Sequence, residues 1–272
     1  MTRNDESTTR RRDVATREPP MARSTTTRTR PDAVAVSIIV PTYDERANIA
    51  TLYHLAREAE AAFDDDRGRW EIVVVDDGSP DGTADVVRAL RDAHEDAFLV
   101  LCERGRKLGL GTAYAHGLRR ARGREVVVMD ADLSHHPKYI SEMLTKRRRE
   151  GLDVVSGTRY ALGGGVCGWD LRRKLTSMVA NYIAKAALNP GASDLTGSFR
   201  CYRRDAFEDL VARSTSRGYA FQMEIIYRAK KAGYTVGEVP IAFVDRVYGE
   251  SKLGASEIVD YLRGLARLFF TV

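Results

Sequence analysis

EVVVMDADLSHHP, residues 125–137, passes directly from a β-branched run into two aspartates, and its reading decides the fold. A run of valines without polar alternation suits a strand buried on both faces, as in a parallel sheet covered by helices. On an extended backbone, residues two apart point the same way, so Asp130 and Asp132 share one side of the strand end. There they could hold one hard divalent cation, with a diphosphate completing its shell. Asp-x-Asp alone is common and usually marks a solvated turn. Delivery by so apolar a strand makes this pair a candidate site.

Working outward, VSIIV (36–40), EIVVVDD (71–77), FLVLC (98–102) and DVVSG (153–157) repeat the pattern, separated by segments of helical period. In the first such segment Ile49, Leu52, Tyr53, Ala56 and Phe63 fall on one face, and Arg57, Glu58 and Glu60 point away. Alternating βαβα units predict an α/β fold with a mostly parallel central sheet flanked by helices. Beyond Tyr160 come a glycine-rich loop (GGGVCGWD), a long helix near 170–188 and the turn NPGASDLTGS. A final amphipathic helix carries Ile258, Leu262, Leu265 and Phe269 on one stripe.

The chain has 272 residues and a formal net charge of +5. Residues 1–33 are rich in Arg, Thr, Ser and Pro and nearly devoid of large apolar side chains, so they are expected to form a disordered basic tail. Residues 34–272 are expected to form the catalytic domain. Most of the net charge lies in the tail, which argues against a basic groove in the fold, and no nucleic-acid partner is expected. The three cysteines, Cys102, Cys167 and Cys201, show no C-x-x-C spacing, which favours a reducing environment. No run of about 20 apolar residues predicts a membrane span.

Ligands of open α/β sheets gather at the carboxyl ends of the strands, and here those ends are acidic. The first ends in PTYDE (41–45) and the second in VDDGSPDGT (75–83). Asp77 is a candidate acceptor for donor groups on a base or ribose, within a turn expected to be capped at Thr83. GLGT (109–112) completes neither phosphate-loop pattern and reads as a structural turn. His135 and His136 read as local hydrogen-bonding residues. Arg159 follows the DVVSGT strand, on the edge from which the acids emerge, and could pair with phosphates. Arg172, Arg173 and Lys174 form a charge run, and Arg246 and Lys252 could close over a donor as a lid.

SIIVPTYDE, VVVDDGSPDGT, VVMDADLSHHP and SGTRY, in this order, resemble family 2 glycosyltransferases of the GT-A (nucleotide-diphospho-sugar transferase) fold. GGGVCGWDLRRKL, NPGASDLTGSFRCYRR, GYAFQMEI and GEVPIAFVDRVYGESKLG resemble the catalytic subunit of the dolichol-phosphate mannose synthases, over about residues 36–272. That resemblance implies inverting transfer of mannose from GDP-mannose to dolichyl phosphate, with Mg²⁺ or Mn²⁺. It places Pro41, Tyr43, Glu45, Val75 and Asp77 at the guanosine and Asp130, Ala131 and Asp132 at the metal-diphosphate. It puts Arg159 between the donor and acceptor phosphates, Arg173 on the lipid phosphate, and Arg246 and Lys252 over the donor.

Two positions depart from the pattern: Ser134 stands where some synthases have Gln, and Met178-Val179 where the animal-type subgroup has Arg-Gly. The resemblance is to the anchorless type. It implies a peripheral protein on the cytosolic face of the endoplasmic reticulum membrane, held there by small membrane-anchoring partner subunits.

Overall fold

The β-branched runs become strands because their side chains find apolar cover on both sides. In this computed structural model, residues 33–63, 67–188, 191–218, 220–246 and 263 are described. The five expected strands are β1 (Val34–Thr42), β2 (Arg69–Asp76), β3 (Leu99–Glu103), β4 (Glu125–Val128) and β5 (Val154–Thr158). With β7 (Arg200–Arg203) and β8 (Val236–Pro240) they form a seven-stranded sheet in the order β3-β2-β1-β4-β7-β5-β8. Only β7 runs antiparallel to its neighbours. The short strands β6 (Gly165–Cys167) and β9 (Ala242–Val244) pair in parallel as a separate ribbon.

Alternate residues of the central strands feed two distinct cores. Ile39, Val73, Val75, Val126 and Val128 pack with α3 (Leu110–Leu118), α6 (Arg204–Arg213) and α7 (Phe221–Lys231). Ile38, Val40, Ile72, Val74 and Val127 pack with α1 (Arg46–Ala62), α2 (Thr83–Ala93) and α4 (Tyr139–Glu150). Each such fully buried side chain contributes about 1.5–3 kcal/mol. The doubly covered sheet fixes the strand ends on which the acids sit.

Ile49, Leu52, Tyr53 and Ala56 of the expected stripe are buried and Phe63, just past α1, is half-buried, but Arg57 and Glu60 do not point away. Arg57 donates to Trp70 O at 2.7 Å and pairs with Asp96, and Glu60 accepts from Trp70 N–H at 2.9 Å. The start of β2 offers backbone groups that these side chains satisfy. The α2 turn also differs from expectation, since Asp81 Oδ1 accepts from the Thr83 amide at 3.0 Å and is the capping acceptor.

GLGT is structural, as its incomplete pattern predicts. It opens α3, and a Cβ added at Gly111 would stand 2.6 Å from the Phe221 ring and 2.8 Å from Ser216 O. Gly111→Ala is therefore expected to cost about 1–3 kcal/mol through overpacking. A thermal melt unchanged from wild type would contradict this packing.

The long helix appears as α5 (Leu171–Leu188). No helix among the described residues is long and apolar enough to cross a membrane. Of the tail assigned to residues 1–33 only Ala33 is described. Lys252 and the expected closing helix, apart from Arg263, lie outside the described residues.

Candidate active site

Beyond Val128 the chain leaves the sheet at Met129, whose amide still reaches Ile39 O at 3.2 Å, and turns sharply. Leu133 takes a left-handed conformation, φ 62°, uncommon for a branched residue and a frequent mark of a functional turn. This turn folds Ser134 back onto Asp132. Asp132 Oδ1 accepts from the Ser134 hydroxyl at 2.5 Å and its amide at 3.1 Å, and Oδ2 accepts from Arg246 Nε at 2.5 Å. Ser134 thus orients the carboxylate. Asp130 Oδ2 accepts from the Ser198 hydroxyl at 2.6 Å.

The two acids titrate in opposite directions. Burial raises Asp130 above the ordinary carboxylate range, opposed by His135, and the neighbouring Asp132 charge pushes it further up. Burial also acts on Asp132, but the Ser134 hydroxyl and Arg246 outweigh it and hold Asp132 below that range.

His135 was expected to bond locally and does not. Its ring packs against Phe199 and Phe243, and its buried Nδ1 lies 4.0 Å from Asp130 Oδ2 without a hydrogen-bond partner. Burial lowers its pKa, which favours the neutral ring. His136 does bond locally, accepting from the Lys138 amide at 3.2 Å.

Among the described residues no three His, Cys, Asp or Glu side chains form a metal cage. Two adjacent hard carboxylates beside an orphaned imidazole nitrogen nonetheless fit a divalent ion that takes its other ligands from phosphate oxygens.

Beyond these acids, β5 ends at Thr158 and delivers Arg159 into a buried fork. Its Nε and Nη2 donate to the two oxygens of Asp194 at 2.6 and 2.7 Å, and Nη2 also reaches Thr196 at 2.7 Å. Burial alone would raise Asp194, but Arg159 dominates and lowers it. Arg173, in the first turn of α5, lies over the Trp169 ring at 4.4 Å. Its Nη1 donates to both Asp245 oxygens at 3.0 and 3.1 Å.

At the ends of β1 and β2, Asp77 Oδ1 accepts from Arg104 Nε at 2.5 Å, and Arg104 Nη1 donates to Thr112 at 2.8 Å. Tyr43 lies beneath Lys107, whose Nζ is 3.3 Å from the ring centroid. Pro41 pairs in register with Val75. Glu45 accepts from Asn48 at 2.8 Å at the start of α1. The side chains of Val75 and Ala131 are buried in the cores, so these two residues have only backbone to offer a ligand.

The expected residues that are described, all but Lys252, thus collect along one sheet edge, with Arg246 bonded to Asp132. Sequence reasoning missed Arg104, His135, Asp194, Ser198 and Asp245. Asp194 sits in a Gly/Ser turn, where an acid reads as turn chemistry, and its partner is 35 residues away.

An edge bearing acids and arginines in this way agrees with the family comparison. The model for glycosyl transferase family 2 matches residues 37–211, and the chain belongs to that family. Its fold is GT-A.

Polyprenol monophosphomannose synthase of Mycolicibacterium smegmatis is 39% identical over 227 residues, covering 81% of this chain and 82% of that protein. Undecaprenyl-phosphate mannosyltransferase of Micrococcus luteus is 35% identical over 237 residues, covering 85% and 93%. Among solved structures, mannosyltransferase PcManGT from Pyrobaculum calidifontis, in complex with GDP-Man and Mn²⁺, is similar with a TM-score of 0.56. It is 22% identical, with coverage of 89% of this chain and 73% of that one. Glucosyl-3-phosphoglycerate synthase from Mycobacterium tuberculosis gives a TM-score of 0.57 at 20% identity, covering 86% and 76%. At these identities the solved structures establish the fold alone.

Proposed function

We propose that this glycosyltransferase moves mannose from GDP-mannose to a polyprenyl phosphate with inversion, giving polyprenyl phosphate mannose. The observation that carries the reading is one edge bearing a carboxylate pair on the donor side and Arg159 and Arg173 on the acceptor side. The two relatives named for mannosyl transfer to polyprenyl carriers support it.

In the reaction, a phosphate oxygen of the acceptor attacks the anomeric carbon as the bond to the diphosphate breaks, and GDP leaves. A sugar hydroxyl would need a base to take its proton. A lipid phosphate is already largely anionic at neutral pH, its second pKa being about 6. Two acids beside these arginines, Asp194 and Asp245, are engaged by them, as expected where alignment of two anions is the task.

Arg159, held rigid by Asp194, would stand between the two phosphates, and Arg173 would take the acceptor. Asp130 and Asp132 would hold Mg²⁺ or Mn²⁺, which when bound stabilises the departing diphosphate. Asp77, fixed by Arg104, with Tyr43, Pro41, Glu45 and the Val75 backbone, would hold the guanosine. Arg246 and Lys252 would close over the donor.

The lipid tail has a matching surface. Leu171, Leu175, Met178 and Tyr182 recur at helical spacing on α5, 86%, 63%, 48% and 74% exposed, on the helix that carries Arg173. A polyprenyl chain in a bilayer could lie along this stripe while its phosphate reaches the arginine. Met178 and Val179, which replace the Arg-Gly of the animal type, keep the stripe apolar.

We place the chain peripherally on the cytosolic face of the membrane that holds its acceptor. With dolichyl phosphate as acceptor that membrane is the endoplasmic reticulum, and small anchoring subunits would help to hold the chain there.

The test is transfer of radiolabelled mannose from GDP-mannose to dolichyl and undecaprenyl phosphates, with UDP-glucose as the rival donor. Activity with UDP-glucose alone would overturn the donor assignment. Arg173→Ala is expected to raise the KM for the lipid phosphate at least about tenfold, as loss of a charge-assisted contact. The KM for GDP-mannose should change little, and an unaltered lipid KM would remove Arg173 from the site.

A further inference from the structure

Asp245 and Arg246 are consecutive, yet they engage opposite halves of the site. Asp245 presents both carboxylate oxygens to Arg173, the residue assigned to the acceptor phosphate. Arg246 donates to Asp132, a residue assigned to the metal-diphosphate. Each side chain supplies the sign of charge that a ligand would bring: a carboxylate for a phosphate and a guanidinium for a cation.

The ribbon below them is well tied. Val244 N–H reaches Ser134 O at 3.2 Å and Asp245 N–H reaches Cys167 O at 2.9 Å. The Phe243 ring packs edge-on against both His135 and Trp169. This anchorage extends through Asp245 N, and the Arg246 amide donates to Asp245 Oδ1 at 3.1 Å. A shift of the Arg246 backbone is therefore felt directly by the Asp245 carboxylate.

We propose that Asp245 is an internal stand-in for the acceptor phosphate, and that the Asp245-Arg246 pair makes donor binding a condition for tight acceptor binding. The inference rests on the reading of the site given above. In the free protein, an acceptor phosphate approaching Arg173 meets a like charge already bonded to Nη1 of its guanidinium. When a cation and diphosphate fill the Asp130-Asp132 end, Arg246 exchanges its carboxylate partner for the diphosphate. That movement draws on the Asp245 carboxylate, and the incoming anionic charge repels it. Arg173 is then open to the acceptor. The Arg173-Asp245 pair and the Arg246 guanidinium are partly exposed, with side chains 27–35% accessible, while Asp132 is buried, so water screens the arginines and a doubly charged phosphate can compete for them. The predicted consequence is ordered binding, nucleotide sugar first.

The experiment is calorimetric titration of farnesyl phosphate into the full chain, with and without GDP and Mn²⁺. For wild type, GDP with Mn²⁺ is expected to tighten farnesyl phosphate binding roughly tenfold, and farnesyl phosphate should tighten GDP binding by the same factor. In Asp245→Asn, the free protein should bind farnesyl phosphate about as tightly as loaded wild type does, and GDP with Mn²⁺ should add less than about twofold. Retained GDP binding reports that the variant is folded.

Absence of coupling in wild type would overturn the proposal, as would undiminished coupling in the variant. Weaker acceptor binding in the variant would also overturn it, by making Asp245 a brace for Arg173. These three results leave the acceptor assignment standing. A chain that binds GDP and Mn²⁺ but no farnesyl phosphate in either form would overturn both.

Discussion

Asp132→Ala is expected to lower mannosyl transfer about a thousandfold while leaving the fold intact. The size follows from what the residue supplies. Stabilising charge on a departing diphosphate through a bound cation is worth several kcal/mol of barrier, and each 1.4 kcal/mol is about tenfold in rate. Asp132 is suited to this because Ser134 and Arg246 keep it ionised where burial alone would favour the proton. Asp130 is pushed the other way, by burial and by the neighbouring Asp132 charge. The structural cost should be small, since the Leu133 turn keeps its backbone and Arg246 stays partly solvated. Two measurements check this: transfer rate across a Mn²⁺ series, and Mn²⁺ binding in the presence of GDP by electron paramagnetic resonance. Wild-type activity in the variant, or unaltered Mn²⁺ binding, would sink the metal assignment.

That prediction could be framed from sequence because the acids follow an apolar run closely enough for local periodicity to place them. The same local logic located β1 to β5, whose burial is written in consecutive β-branched residues. It did not reveal β7, because RCYR opens on Arg200 and closes on Arg203. Arg200 is fully buried, and its partners are neutral groups: Gln222 O at 2.7 Å and Ser156 Oγ at 3.3 Å from distant segments, and Leu195 O at 3.2 Å from the preceding turn. A buried arginine satisfied by carbonyls looks in sequence like a surface charge.

The site divides the same way. Asp77, Asp130, Asp132 and Arg159 stand at strand ends and were legible there. Asp194, His135 and Asp245 gain their roles only from distances across the fold. His135 shows the reason clearly: its histidine pair suggested a local hydrogen bond, whereas Phe199 and Phe243 arrive from β7 and β9 neighbourhoods to bury it. Glu60 and Arg57 misled for the complementary reason, since helical periodicity cannot see that a strand end offers them backbone partners.

Asp194→Asn is expected to be the most destabilising single substitution in the site, and a paired variant separates its structural part from its functional one. Asp194 is fully buried and accepts from Arg159 Nε, from Arg159 Nη2 and from the Gly197 amide at 3.0 Å. Removing one charge of a buried pair typically costs about 3–5 kcal/mol, because the other charge stays in a poorly solvating place. At roughly 2–4 °C per kcal/mol for a domain of this size, the melting temperature should fall on the order of 10 °C.

The pH dependence has a definite sign. Because Arg159 lowers the pKa of Asp194, the carboxylate contributes stability above its unfolded pKa, near 4, and loses it as pH falls through the lower folded value. Asp194→Asn should therefore flatten the acid limb of the stability curve below about pH 4. An unchanged acid limb would show that the pair is not what holds this corner.

Arg159→Met with Asp194→Leu removes both charges, and such replacements are often neutral or stabilising. The double variant should recover most of the lost melting temperature and remain inactive. Recovery of activity along with stability would mean that Arg159 serves the fold alone and that another cation lies between the two phosphates.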